Sequence, residues 1–401
     1  MARFFFILLL IASTHQALNA QKKAISQARS YVKSGSNLQK AEQMMEELLA
    51  DSANRGNKKV WLTRFDAVEK QWSAGNEKLY LKQKYDTAEF FNLTQKMFRI
   101  LEGLDSVESI PDHKGRVRME YRKKHAGFLD GHRRNLFNGG MFFVSRRDYK
   151  SAYSFFDDYI GCAYQPLFSG YGYAEKDTLL PRAGYWAAYC GYKMGDTKAT
   201  LHHTYLALKD TSKRKPMLQY LAETYKAEGD TARYLGTLRE GFADYPTFTF
   251  FFSRLVRHFA AGQDWKEVLA VSEEALQADS ASHLFLFSKS GALLNMGRYG
   301  ECIAICDSLI ARGDSVPEVY LNAGLGYFNQ AVDIEKDGAG GKKARAAAAA
   351  LFRKSLPYIE TYRRLAPEAD DKWGLPLYTI YLNLNMGREF DEMDRIVRGQ
   401  K

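Results

Sequence analysis

The residues able to do chemistry are few, and their spacing suits it poorly. His202 and His203 are adjacent; neighbours on a continuous helix point about 100° apart, so this pair is expected to make a poor metal site. His125 and His132 lie two helical turns apart, but among Arg116, Arg118, Arg122, Lys123, Lys124, Arg133 and Arg134, which repel cations. The four cysteines, Cys162, Cys190, Cys302 and Cys306, form no Cys-x-x-Cys pair, and neither His-Glu-x-x-His nor Gly-x-Ser-x-Gly occurs. Gly338-Ala-Gly-Gly-Lys-Lys343 has the glycines of a phosphate-binding loop, but its spacing is wrong, Lys343 stands where Ser or Thr belongs, and no strand precedes it. The sequence therefore predicts no catalytic residue, no cofactor and no metal. Function is expected to reside in surfaces.

Two features bear on what such a surface meets. Met1–Ala20 reads as a signal peptide: Arg3 is its positive end, Phe4–Ala12 an apolar run too short to span a bilayer, and Ala17-Leu-Asn-Ala20 a small-residue cleavage site. The mature chain is expected to be exported, periplasmic or secreted, with no later segment long and apolar enough to cross a membrane. The formal net charge of the full sequence, +10, favours acidic partners. For an exported protein these are envelope polymers or acidic proteins, not nucleic acid. Hydrophobic residues at 46%, with 14% aromatic, supply ample material for a large core. Because export means oxidising surroundings, Cys162 with Cys190 is a candidate bridge.

What must position any surface here is a repeat. Gly195, Gly229 and Gly297 share a phase of 34 residues, with Gln263 in the missing slot, and Thr197, Thr231, Trp265 and Tyr299 follow two places on. Leu201, Leu235, Leu269 and Ile303 form a third column, and Leu208, Phe242, Leu276 and Ile310 a fourth. Two helical patterns in a 34-residue unit, with small and aromatic residues locking one hairpin onto the next, resemble the tetratricopeptide repeat. Leu218, Leu221, Ala222 and Tyr225 stand where that family has Trp, Leu, Gly and Tyr; Gly229 makes the turn and Pro246 ends the unit, while Tyr234 and Gly241 replace the usual alanines. The resemblance implies an all-α fold, a right-handed superhelical array of helix hairpins, or α-solenoid. It also places Cys302 and Cys306 at inner positions of a second helix.

Residues 21–115 are expected to hold degenerate helical repeats, and 116–401 the array proper. Ala41, Met45 and Leu48 recur at helical spacing in Leu38–Ala50 after a Gly35 turn. A second pair spans Lys58–Leu104, with Trp61, Phe65 and Val68 on its first helix and Tyr85, Ala88, Phe91 and Phe98 on its second. Asp105–Gly115 reads as a loop and Arg116–Arg134 as a basic helix around Val117, Tyr121 and Phe128, either a solvated face or a dock for an acidic partner. Leu136, Gly140, Phe143, Tyr149, Ala152 and Phe156 restore the pattern. Insertions interrupt it near 161–176, where Tyr164, Phe168, Tyr171 and Tyr173 alternate with Gly170 and Gly172, and near 332–350, which holds the run Ala346–Ala350. Inserts of this kind often form a binding face, so the aromatic insert is a candidate site, the alternative being that its aromatics fold back onto the array. Lys372–Val397, with Gly387 at its turn, is expected to be a terminal cap. Ser52, Ser106, Thr178, Thr231, Ser280, Ser308 and Ser315 each follow an Asp. That pattern resembles an O-glycosylation acceptor of envelope proteins and is equally the pattern of helix capping.

The family resemblance further implies a concave groove, lined by first helices, that holds a partner protein or peptide. By register its positions are Tyr185, Tyr189, Tyr192 and Lys193 in one copy; Gln219, Glu223 and Lys226 in the next; then Ser253 and Arg257, Phe287 and Asn295, and Asn329. Tyrosines beside Lys and Arg offer rigid contact area and charge-assisted hydrogen bonds, the composition of interface hot spots. The function so implied is a non-enzymatic scaffold of the cell envelope binding a partner protein or peptide. An alternative is a carbohydrate or envelope-polymer binder that uses the tyrosines as stacking platforms. A third reading, an all-helical envelope enzyme working through one carboxylate, finds no carboxylate singled out for it.

Overall fold

The structure, a computed structural model, describes residues 20–313, 315–336 and 341–398. The expected signal peptide Met1–Ala20, apart from its last residue, and residues 337–340 of the glycine-rich segment lie outside those residues. All regular structure among the described residues is helical.

Local chemistry at the turns explains why the helices come in pairs. Gly195, Gly229 and Gly297 adopt φ of +69°, +74° and +74°, and Gln263, in the missing slot, adopts +57°. A left-handed residue lets the chain leave one helix. One position later, Asp196, Asp230 and Asp264 start the next helix by accepting the backbone N–H groups of Ala199, Arg233 and Glu267. Arg147, at +61°, and Asp148, which accepts from Ser151, repeat the device one hairpin earlier.

Up to Glu228 the chain forms one compact unit. Its helices are α1 (20–34), α2 (Leu38–Ala50), α3 (Lys58–Tyr80), α4 (Thr87–Glu108), α5 (Arg122–Asp130), α6 (Arg133–Ser145) and α7 (Tyr149–Gly161). The short α8 (Tyr173–Lys176) lies in the aromatic insert, followed by α9 (Leu180–Met194), α10 (Thr197–His202), α11 (Thr204–Ala207) and α12 (Arg214–Ala227). One apolar core runs from Val68 on α3 to Leu206 on α11 and includes the aromatics Phe98, Phe137, Phe155 and Phe156, with separate clusters around Met45 and around Met217. Burial of this material is the main stabilising term.

From Gly229 a second unit begins, with α13 (Thr231–Asp244), α14 (Thr249–Ala261), α15 (Trp265–Ala278), α16 (His283–Asn295) and α17 (Tyr299–Ala311). It continues through α18 (Pro317–Lys336), α19 (Lys342–Leu365), α20 (Asp370–Asn383) and α21 (Gly387–Val397). Each helix packs on its successor, and α14, α16 and α18 start 34 residues apart by their first positions. Each unit is thus built of successive helix hairpins, and in the second the hairpins recur every 34 residues. The insertion near 332–350 lengthens one of them: α18 and α19 have 20 and 24 residues, against 13 in α16 and α17.

Three expectations change. The basic segment is not one helix, since 116–121 is irregular: Asp112 accepts the N–H groups of Lys114 and Arg116, and Glu108 accepts that of Tyr121. Part of its charge is paired: Arg122 clasps Asp105 through two bonds of 2.7 and 2.8 Å, Arg116 meets Asp112 at 3.2 Å and Arg133 meets Asp177 at 2.6 Å. All four cysteines are free and buried, so the candidate Cys162–Cys190 bridge does not form. Among the Asp-Ser/Thr pairs, Asp51, Asp177, Asp230 and Asp279 accept backbone N–H bonds at chain turns, while Ser106 and Ser308 sit inside α4 and α17.

Candidate functional site

Positions 185, 189 and 192 fall on one face of α9. The opposite face is pressed against α10 and α11. A methyl placed on Gly191 would lie 2.3 Å from the backbone nitrogen of Thr200, and one on Gly184 2.8 Å from that of Ala207. This close approach fixes the direction in which the tyrosines point.

The structure brings Tyr185, Tyr189 and Tyr192 together around a residue the sequence did not single out, Tyr220 of α12. Its ring lies 4.5 Å from that of Tyr192 in a stacked arrangement, 5.8 Å from Tyr189 and 6.3 Å from Tyr185. Tyr149 meets Tyr189 edge-on at 5.9 Å. Tyr192 donates its hydroxyl to Glu223, another predicted groove residue. Cations flank the array: Lys193 Nζ is 5.6 Å from the centre of the Tyr189 ring, and Lys213 Nζ 5.8 Å from that of Tyr185. Burial, with the Tyr149 hydroxyl beside it, pushes the Tyr189 phenol up to about 12. Tyr185 is 6% exposed and belongs to the core with Met217 and Leu221, so it supports the face more than it presents itself. Gln219 is half-buried and Lys226 exposed on the same helix.

The remaining predicted positions belong to the second unit. Ser253 is half-buried and Arg257 exposed on α14, Asn295 is exposed on α16, and Asn329 is half-buried on α18. Phe287 packs beside the core of Val268, Leu293 and Cys306, which leaves it largely structural.

The aromatic insert does not stand out as a loop. Phe168 is 2% exposed, and Tyr171 and Tyr173 pack on the same core. Arg133 holds them there: its guanidinium lies 3.9 Å from the Tyr173 ring centre and 4.0 Å from that of Tyr159, while Tyr173 donates its hydroxyl to Asp130. Only Tyr164 is well exposed, and its hydroxyl meets that of Tyr205 at 3.2 Å.

Tyr164 and Tyr205 also border a cavity of about 340 Å³ lined by Glu102, Asp157, Asp158, Gln165, His202 and His203. The adjacent histidines converge because the helix breaks between them. His203 has φ −110° and ψ 20°, α10 stops before it and α11 starts after it. Hydroxyl bonds from Thr200 to the Asp196 carbonyl and from Thr204 to that of Leu201 compete with the helical ladder there. The two imidazoles consequently lie 4.3 Å apart on one side, and the expectation that they diverge fails with the continuous helix it assumed. His203 Nε2 is 2.7 Å from Asp157 Oδ1, and that hydrogen bond holds the Asp157 carboxyl below the usual range. Burial, with Asp158 nearby, pushes Glu102 up to about 7. Cys162 donates its thiol to Glu102 Oε1 at 3.8 Å.

No family model and no curated protein matches the sequence. Among solved structures, the chain is similar to the C-terminal part of a TPR repeat-containing protein from Cytophaga hutchinsonii, at 12% identity, with 64% of this chain and 92% of that one covered and a TM-score of 0.42. It is also similar to the P58(IPK) TPR domain (13% identity, 91% and 98% covered, TM-score 0.27) and to yeast Tom70 (10%, 93% and 87%, 0.27). The type of hairpin stands on features internal to this chain, the 34-residue spacing and the left-handed turns.

Proposed function

We propose that the protein is a non-enzymatic interaction scaffold of the cell envelope whose α9–α12 tyrosine face holds an acidic segment of a partner protein. The observation that carries this reading is the cluster of Tyr189, Tyr192 and Tyr220 with lysines at its edge. Such rings are already ordered by one another, so little side-chain entropy is lost on binding, and the lysines select for carboxylates. The leader-like N-terminus supports an exported protein, and the basic balance supports an acidic partner.

The test is retention of solubilised envelope proteins by the immobilised mature chain and by a variant carrying Tyr220→Ala and Lys193→Glu, with circular dichroism to verify folding. A protein held by the parent and lost by the folded variant is the expected result. Equal retention by both removes the face from consideration, and recovery of glycan alone favours a carbohydrate binder.

A further inference from the structure

We infer that Asp157, His202 and His203 form a binding site for one divalent transition-metal ion. One ligand atom from each of the three lies within 4.8 Å of the others. Donors around a tetrahedral zinc, each about 2.0–2.1 Å from the metal, are about 3.3 Å apart. The observed separations from Asp157 Oδ1, 2.7 Å to His203 Nε2 and 4.0 Å to His202 Nε2, straddle that distance. With every pair within 4.8 Å, closing the set to about 3.3 Å needs a shortening of no more than about 1.5 Å in any one separation. His202 can make it, since its side chain is 62% exposed, whereas His203 is fixed at 7%.

Donor chemistry narrows the ion. Two imidazoles with one carboxylate suit zinc, nickel, copper or ferrous iron, and not calcium or magnesium, which prefer sets of oxygen ligands. The other coordination positions open into the cavity, where Gln165, Tyr164 and Tyr205 leave room for water. Glu102 and Asp158 add carboxylates to that cavity, with Arg99 paired to Asp158 at 2.9 Å. Arg99 offsets the charge of Asp158, which leaves Asp157 as the carboxylate that attracts the cation.

A second observation is independent of the cluster's composition. His203 is buried where the helix is broken, and its Nδ1 atom is buried with no hydrogen-bond partner. A metal at Nε2 would replace the Asp157 hydrogen bond by a coordinate bond and hold the ring as the neutral imidazole with its proton on Nδ1.

The experiment uses the full mature chain, stripped of metal with a chelator, titrated with Zn²⁺ by calorimetry and with Co²⁺ by visible absorption. One equivalent of each should bind, with a Co²⁺ spectrum lacking a thiolate charge-transfer band and with a rise in the melting temperature. His202→Ala, at an exposed position, and Asp157→Asn should each weaken binding at least about tenfold, while His113→Ala on the exposed loop leaves it unchanged. Absence of a one-equivalent event overturns the assignment. So does binding that His202→Ala and Asp157→Asn leave intact, or a thiolate band placing the ion on the cysteines.

Discussion

Arg133 Nη1 meets Asp177 Oδ2 at 2.6 Å, with the two side chains only 8% and 11% exposed. Asp177 also accepts the Tyr159 hydroxyl at 2.7 Å and the Leu179 backbone N–H at 2.8 Å. This pair closes the aromatic insert onto α6 and α7. Removing either partner leaves a buried charge uncompensated, so Arg133→Ala and Asp177→Ala should each cost about 3–5 kcal/mol. The double variant should lose less than the sum, because the second change removes the orphaned charge. Urea denaturation measures all three, and unchanged midpoints would mean that the insert is an independent lid.

A turn residue offers a change in the opposite direction. Gln263 holds φ +57° where the other copies have glycine. The left-handed conformation costs an L-residue about 1–2 kcal/mol, and glycine returns part of that through unfolded-state entropy, about 0.5–1 kcal/mol. Gln263→Gly should therefore raise stability by up to about 1 kcal/mol, whereas Gly195→Ala, at φ +69°, should lower it by a similar amount. Thermal melts of both variants check the contrast. A loss on Gln263→Gly would show that the glutamine side chain packs usefully.

Those turns are also why the fold could be read from the chain. Its repeating columns are local, all within one hairpin of the left-handed position, and Leu218, Leu221 and Ala222 are buried as the register requires. Leu38–Ala50 appears with the expected ends for the same reason. Which way the insert's aromatics turn was not legible, because its anchors, Arg133 and Asp177, are 44 residues apart in sequence and no local pattern links them. Tyr220 escaped notice beside Gln219 because the stack depends on how α12 lies against α9. The histidine pair was dismissed on helical geometry that threonine hydroxyls at 200 and 204 interrupt.

Glu102 gives the first unit a pH dependence. Its carboxyl is raised from 4.5 to about 7, first by burial and then by the charge of Asp158. The folded state thus holds this proton more tightly than the unfolded chain does. The resulting stability is fully present below pH 4.5 and is lost as pH rises through about 7. At full ionisation the loss is about 3 kcal/mol. Glu102→Gln, studied with chelator present, should flatten the dependence across that window and be the more stable protein above it. Parallel pH profiles for the parent and the variant would exclude Glu102 as the source.

Gly191 joins the two sites mechanically. One face of α9 carries the tyrosines, while its other face approaches α10 so closely that a methyl on Gly191 would lie 2.3 Å from the Thr200 nitrogen. That neighbour is backbone, so α9 and α10 must separate to admit it, and His202 sits at the end of α10. Gly191→Ala should cost about 1–3 kcal/mol in denaturation. If the sites are placed by this contact, the variant should weaken both partner retention and zinc binding, although it alters no residue of either. Tyr220→Ala should affect retention alone, and His202→Ala zinc binding alone. Gly191→Ala with full retention and full zinc affinity would mean that α9 and α10 position their side chains independently, through the core beneath Tyr185 and Leu206.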